Sequence, residues 1–138
     1  MSLREASTVK DTTTVTITDP HYPFEPLKNA DGTEMTVVVH GPFSPKYKQI
    51  ELSVQNARMR KLQSKKGRLN FTAEEIEQSA EEMLIACIES WNLTVDKDPL
   101  EFSEANVRKV LQEFPWVRSQ IDAVIGDETN FLEKSATK

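Results

Sequence analysis

The sequence is poor in the residue types that build disulfide frameworks, phosphate-binding loops and membrane spans. It has one cysteine, which excludes an intramolecular disulfide and is typical of a reducing compartment. Its four glycines are far apart, so they form no glycine-rich loop that could cradle a phosphate. No apolar run approaches the length of a membrane span, and the first residues lack a signal-peptide pattern. We therefore expect a soluble, intracellular protein.

The size and composition of the chain indicate one domain with polar segments outside its core. A length of 138 residues fits a single domain. Hydrophobic residues make up only 38% of the chain and the mean hydropathy is −0.51, so the core cannot use the whole sequence. Residues 1–11 show no hydrophobic period and are expected to be disordered, and residues 135–138 to form a flexible tail.

Residues 12–43 predict a small antiparallel strand unit that resembles a β-hairpin. In residues 12–18, TTTVTIT, threonine alternates with apolar residues, which is typical of a half-buried strand. The connection that follows, DPHYPFEP, holds three prolines, which forbid a helix there. Residues 35–40, MTVVVH, are the strongest predicted strand. Such a unit is marginal alone, so it must dock on helices or on another subunit.

Residues 44–134 predict a helical domain of about four helices. Ser44 is followed by a proline and can cap the first helix, because its hydroxyl satisfies free N–H groups. Thr72 and Glu75 have the spacing of a capping box, and Ser103 can cap the third helix. The apolar residues of the second helix recur at helical spacing: Ile76, Ala80, Met83, Leu84, Cys87, Ile88 and Trp91.

Pro115 divides the segment after Ser103 into two helices. Proline disfavours helical backbone at Phe114 and removes one helical hydrogen bond. A missing N–H is harmless at the first helical position, so the fourth helix can begin at Pro115 with Trp116 at the corner. The predicted fold is therefore α+β and mainly α, with the N-terminal strand unit followed by a compact helical domain.

Charge is distributed unevenly, although the net charge is only −5. Residues 44–70 carry one acid, Glu51, among many bases: Lys46, Lys48, Arg58, Arg60, Lys61, Lys65, Lys66 and Arg68. Residues 72–104 are acidic apart from Lys97. The two segments could neutralise each other by packing, face each other between subunits, or leave a nucleic-acid patch on the basic side. We favour the first two possibilities, packing within the chain or pairing between subunits, because the acidic segment would repel phosphate and the basic run has no aromatic residue to stack on bases.

No residue pattern points to catalysis, a cofactor or a metal. Cys87 falls on the apolar stripe of its helix, and His21 and His40 lie far upstream, so nothing predicts an activated thiolate. No set of cysteine, histidine and acidic residues has metal-ligand spacing. The glutamates of the second helix would lie on a solvated face, where no apolar site isolates one of them. We expect a protein without enzymatic activity or a cofactor.

Aromatic residues concentrate in the C-terminal third, where they can close the core or contact a partner. They are Trp91, Phe102, Phe114, Trp116 and Phe131. Trp116 and Phe131 fit the apolar stripes least well. For both we favour packing around Pro115, with a role as partner anchors as the alternative. The partner-binding candidates are Trp116, Phe131, Leu132 and Tyr47.

Four segments occur in a characteristic order between Asp31 and Leu132. They are a strand leading through Gly-Pro-x-Ser into a basic helix (VVVHGPFSPKYKQIELSVQNARMRK), Trp91-Asn92-Leu93, the connector PLEFS, and the closing PWVRSQIDAVIGDETNFL. In their order and spacing, these segments resemble the tail assembly chaperones of long-tailed, non-contractile bacteriophages, the group that contains the lambda and HK97 proteins.

The resemblance implies a protein of the host cell cytoplasm that binds the tape-measure protein and keeps it soluble. Such chaperones help to recruit tail-tube subunits and are absent from the finished particle. Many are made in two lengths through ribosomal frameshifting, and this chain would be the short form. A homo-oligomer that wraps its client would suit the separated charges.

Two other functions are open. A structural head–tail joining or tail-terminator protein would use the N-terminal strands in a sheet between subunits and would remain in the virion. A small nucleic-acid-binding regulator would depend on the basic run alone, and binding to nucleic acid or to a membrane is not expected.

Overall fold

Four α-helices and a set of short antiparallel strands make up the residues that the computed structural model describes, which are 7–64, 72–95 and 98–134. The strands are β1 (Ser7–Val9), β2 (Thr12–Thr16), β3 (Thr36–His40), β4 (Ile88–Trp91), β5 (Thr94–Val95), β6 (Asp98–Pro99) and β7 (Leu132–Lys134). The helices are α1 (Pro45–Ser64), α2 (Ala73–Cys87), α3 (Glu104–Glu113) and α4 (Pro115–Gly126), followed by a 3-10 turn at Glu128–Phe131. The predicted α+β, mainly α fold class is confirmed.

The central sheet joins strands that are far apart in sequence. Its order is β2-β3-β4, and both pairings are antiparallel. Val15 lies opposite Val37, and Val37 lies opposite Trp91 on the other side. Alternate residues of β3, Val37 and Val39, are completely buried. One face of the sheet therefore packs against the helices.

Each predicted helix start is confirmed by the local hydrogen bonds. Ser44 and Ser103 each accept a backbone N–H from the residue three positions further on. Thr72 and Glu75 form the predicted capping box. Pro115 occupies the first turn of α4, where its missing N–H costs no hydrogen bond.

One hydrophobic core joins the sheet to the helices. Val15 and Val37 belong to the same buried cluster as Leu84 of α2 and Val107 of α3. The strand unit therefore docks on the helices, and the two parts bury each other's apolar surface.

The second helix is shorter than predicted. It ends at Cys87 rather than at Trp91, and the last two residues of its expected stripe, Ile88 and Trp91, belong to β4. Both edges of the buried strand β3 need hydrogen-bond partners, so pairing across the sheet overrides the helical spacing of Ile88 and Trp91. Trp91 then donates its Nε1–H to the Leu100 carbonyl at 2.9 Å.

The N-terminal segment departs from the disorder expected for residues 1–11. β1 pairs with β7, near the other end of the chain. The backbone N–H of Lys10 donates to the carbonyl of Phe131 at 2.7 Å. Backbone pairing thus orders a segment that has no hydrophobic period of its own. Residues 1–6 and the predicted tail at 135–138 lie outside the described residues.

Candidate functional site

An apolar cleft of about 250 Å³ opens between the two C-terminal helices, the connection from β2 to β3, and the segment after β4. Most of its lining residues are apolar, and none is charged: Ile17, Leu27, Met35, Leu93, Thr94, Val95, Val110, Phe114, Trp116 and Val117. This volume lies below the roughly 300–1,000 Å³ that is usual for small-molecule sites. The cleft therefore fits an apolar side chain of a partner better than a cofactor.

The break at Pro115 builds the aromatic wall of the cleft. Phe114 ends α3 with its N–H bonded to the Val110 carbonyl at 2.8 Å, and its own carbonyl accepts the N–H of Val117 at 2.9 Å. The turn places Phe114 and Trp116 side by side, with ring centroids 6.0 Å apart and edge-to-face geometry. Both rings are half-buried, so each keeps a surface that a partner could cover.

The opposite wall is held by a backbone clamp in the connection between β2 and β3. The N–H of Ile17 donates to the Met35 carbonyl at 2.9 Å, and the N–H of Met35 donates to the Leu27 carbonyl at 2.8 Å. The N–H of Leu27 completes the clamp by donating to the Ile17 carbonyl at 2.9 Å. These three apolar side chains are thereby fixed at the cleft.

The third wall comes from the segment that follows β4. Leu93 is buried, and its carbonyl accepts the N–H of Leu100 at 2.9 Å. Beside it, the Thr94 hydroxyl donates to Asn29 Oδ1 at 2.8 Å. This polar group at the margin therefore has its own partner, and the interior of the cleft stays apolar.

The four predicted partner-binding residues are not brought together. Trp116 lines the cleft. Phe131 is completely buried in the 3-10 turn, so it is a core residue and offers no surface to a partner in this conformation. Leu132 is half-buried in β7, opposite Val9. Tyr47 is half-buried in the first turn of α1, away from the cleft lining.

The one thiol is buried rather than reactive. Cys87 lies at the end of α2, and burial, with a smaller effect from the charge of Asp122, raises its pKa from 9.0 to about 11. Burial also raises the pKa of Tyr47, and the neighbouring Cys87 and Glu51 add to that shift. At neutral pH the thiol is protonated and therefore a poor nucleophile.

Metal-binding clusters and membrane-spanning helices are both absent from the described residues. No group of three or more histidine, cysteine or acidic residues in that part of the chain could hold a metal ion. No described helix is both long and apolar enough to cross a membrane.

The carboxylates of α2 form ion pairs with arginines of the C-terminal helices. Arg108 of α3 lies 2.9 Å from Glu82 and 3.6 Å from Glu81, and Arg118 of α4 contacts Glu77. The bases Lys48, Arg58 and Arg60 of α1 have no salt-bridge partner among the described carboxylates. These ion pairs therefore join α2 to the C-terminal helices.

The cleft residues upstream of the helices were missed by the sequence analysis. Ile17, Leu27 and Met35 flank the proline-rich connection, for which the sequence predicted only that no helix forms. Those prolines also fix backbone angles, and this was the available signal for an ordered connection. Leu93 was named only as part of the Trp91-Asn92-Leu93 segment, and only the pairing of β4 places it against the helices.

Comparison of the chain with protein-family models, with curated proteins and with solved structures found no match.

Proposed function

We propose that this chain is a tail assembly chaperone of a long-tailed bacteriophage. It binds the tape-measure protein in the host cytoplasm, keeps that protein soluble, helps to recruit tail-tube subunits, and is not retained in the virion. The observation that carries the proposal is the apolar cleft, whose rim holds two half-buried aromatic rings, Phe114 and Trp116.

The cleft suits a client that presents apolar side chains along a helix. An amphipathic helix binds a groove through a few anchor side chains, and aromatic walls supply large contact areas at little cost in conformational entropy. The cleft carries no charged lining and no activated nucleophile among the described residues, which favours binding over chemistry. A non-enzymatic binder is the function that this geometry supports best.

Segments that carry the resemblance to tail assembly chaperones also contribute to the cleft. Leu93 comes from the Trp-Asn-Leu segment, and Trp116 and Val117 come from the closing segment. The resemblance and the cleft therefore involve some of the same residues, which supports reading them as one site.

Co-expression with the candidate tape-measure protein tests the proposal. The client should be soluble only when this chain is present, and Trp116→Ala should reduce the soluble fraction of client by about tenfold if the ring is an interface anchor. Phe102→Ala is the matched control, since Phe102 is an exposed aromatic that packs edge-to-face on Trp91 outside the cleft. Thermal unfolding of both variants separates loss of binding from loss of fold.

A client that stays insoluble with the unmodified chain would reject the chaperone function. Mass spectrometry of purified particles addresses the structural alternative, because a chaperone should be missing from them. Detection of the chain in stoichiometric amounts would instead indicate a head–tail joining or tail-terminator protein.

A further inference from the structure

An exposed aromatic residue projects from a rigid loop formed by residues 19–26, which we call the aromatic loop. Phe24 is 96% exposed, and Tyr22 beside it is also exposed. The loop is closed by hydrogen bonds from the N–H of Asp19 to the Glu25 carbonyl and from the N–H of Glu25 to the Tyr22 carbonyl, both at 2.9 Å. A side chain of this size, held in water by an ordered backbone, is typical of an interface anchor.

The base of the aromatic loop is fastened to α4. Gln120 accepts the N–H of Thr18 at 2.9 Å through Oε1 and donates to the Thr18 carbonyl at 2.9 Å through Nε2. Pro20, Pro23 and Pro26 restrict the backbone further. Little conformational entropy would therefore be lost when the loop binds.

A second apolar surface lies on the side of α1 that faces away from the buried Ile50. Leu52 is 58% exposed and Met59 is 57% exposed. They are seven residues apart, so they share one side of the helix about 10 Å from each other. The exposed cations Lys48 and Arg60 flank them. We call these four residues the outer face of α1.

The two surfaces are complementary in charge and in chemistry. The aromatic loop carries Asp19 and Glu25, and it contains no lysine or arginine. The outer face of α1 carries cations that no described carboxylate neutralises. Methionine and arginine both bind well to aromatic rings, so Met59 and Arg60 could receive Phe24.

We propose that the aromatic loop of one copy docks on the outer face of α1 of a second copy. The exposure of Phe24, Leu52 and Met59 means that they do not cover one another within a single chain. Each copy therefore carries one uncovered aromatic loop and one uncovered outer face of α1. The contact joins two different surfaces, so it is heterologous and can repeat from copy to copy. This self-association goes beyond the proposed function and needs no client.

Sedimentation of the full chain over a range of concentrations tests the contact. Phe24→Ala and Met59→Ala should each raise the dissociation constant of self-association by about tenfold or more. Ile76→Ala is the matched control, because Ile76 is an apolar residue of α2 with 55% exposure that lies outside both surfaces. Circular dichroism checks that every variant keeps the native helix content.

Mixing the two variants distinguishes a heterologous contact from a general loss of self-association. Phe24→Ala keeps an intact outer face and Met59→Ala keeps an intact loop, so the mixture should form a one-to-one complex that cannot extend. Charge reversal is a second test: Glu25→Arg and Lys48→Glu should each weaken self-association, and their mixture should recover it. The proposal is overturned if the unmodified chain is monomeric at its highest soluble concentration. It is also overturned if the variants associate as the unmodified chain does, or if their mixture stays monomeric.

Discussion

The ring of Phe131 packs directly on the backbone of Gly41. A Cβ atom built on Gly41 would overlap the ring atoms Cδ1, Cγ and Cε1. Phe131 is completely buried, and its carbonyl accepts the N–H of Lys10. The missing side chain at Gly41 therefore lets the C-terminal turn pack beside the loop that leads into α1.

Gly41→Ala should destabilise the fold by about 2–3 kcal/mol, because a rigid buried ring has to shift to admit the new methyl group. Urea unfolding measures the loss. Gly126→Ala is the control: it lies in the last turn of α4 with open space around its Cα, so it should be neutral or stabilising by up to ~1 kcal/mol. Equal effects of the two substitutions would contradict the close packing.

Stability should fall at alkaline pH because of Cys87. Burial raises its pKa from 9.0 to about 11 in the folded chain, so between these values the unfolded chain loses the thiol proton while the folded chain keeps it. The folded state then binds more protons, and the free energy of unfolding decreases as the pH rises through this window. The contribution of the protonated Cys87 thiol to the free energy of unfolding is fully present below pH 9 and is lost by about pH 11.

Urea unfolding at pH 8 and at pH 10.5 measures the loss of stability that Cys87 causes. The unmodified chain is compared with Cys87→Ala at both pH values. Other groups titrate in the same range, so only the difference between the two proteins is diagnostic. The unmodified chain should lose more stability than Cys87→Ala over this interval. A parallel loss in both would show that the thiol is not shielded.

Local chemistry was sufficient to predict the helix starts. The hydroxyls of Ser44, Thr72 and Ser103 and the proline at position 115 act within one helical turn, so their neighbours in sequence determine the outcome. Trp116 could be named as a binding candidate for the same reason, since it follows the break.

Long-range pairing explains what could not be predicted. Ile88 and Trp91 fit a helical stripe, and only the unpaired edge of β3 makes them a strand. The sequence alone leaves Phe131 as a candidate surface anchor. Only its contact with Gly41, ninety positions upstream, identifies it as a core residue. The cleft depends on the pairing of β4, because Leu93 follows that strand and lies against the helices.

Asn92 should contribute to the stability of the central sheet. Its Oδ1 accepts the N–H of Thr36 at 2.6 Å, and its Nδ2 donates to the Glu34 carbonyl at 2.9 Å. Asn92→Ala removes both bonds and should cost about 1–2 kcal/mol, since these groups are partly solvated. Hydrogen exchange at the Thr36 amide should accelerate. Ser90→Ala, at an exposed position of β4, should leave that amide protected, and equal exchange in both variants would count against the bridge.

The hydrogen bonds of Gln120 should determine the rigidity of the aromatic loop. Gln120→Ala leaves the N–H and the carbonyl of Thr18 without their partner, so the loop base should open to water while the distant core remains intact. We expect a loss of about 1–2 kcal/mol in unfolding free energy.

Faster amide exchange confined to residues 17–27 is the specific signature of this change, because a general loss of stability would raise exchange throughout the chain. Ser119→Ala is the neighbouring control, since its hydroxyl bonds only to the Pro115 carbonyl within α4. Unchanged protection of the Thr18 amide in Gln120→Ala would mean that the prolines alone hold the loop. Faster exchange in both variants would place the effect in α4 rather than in the side-chain bridge.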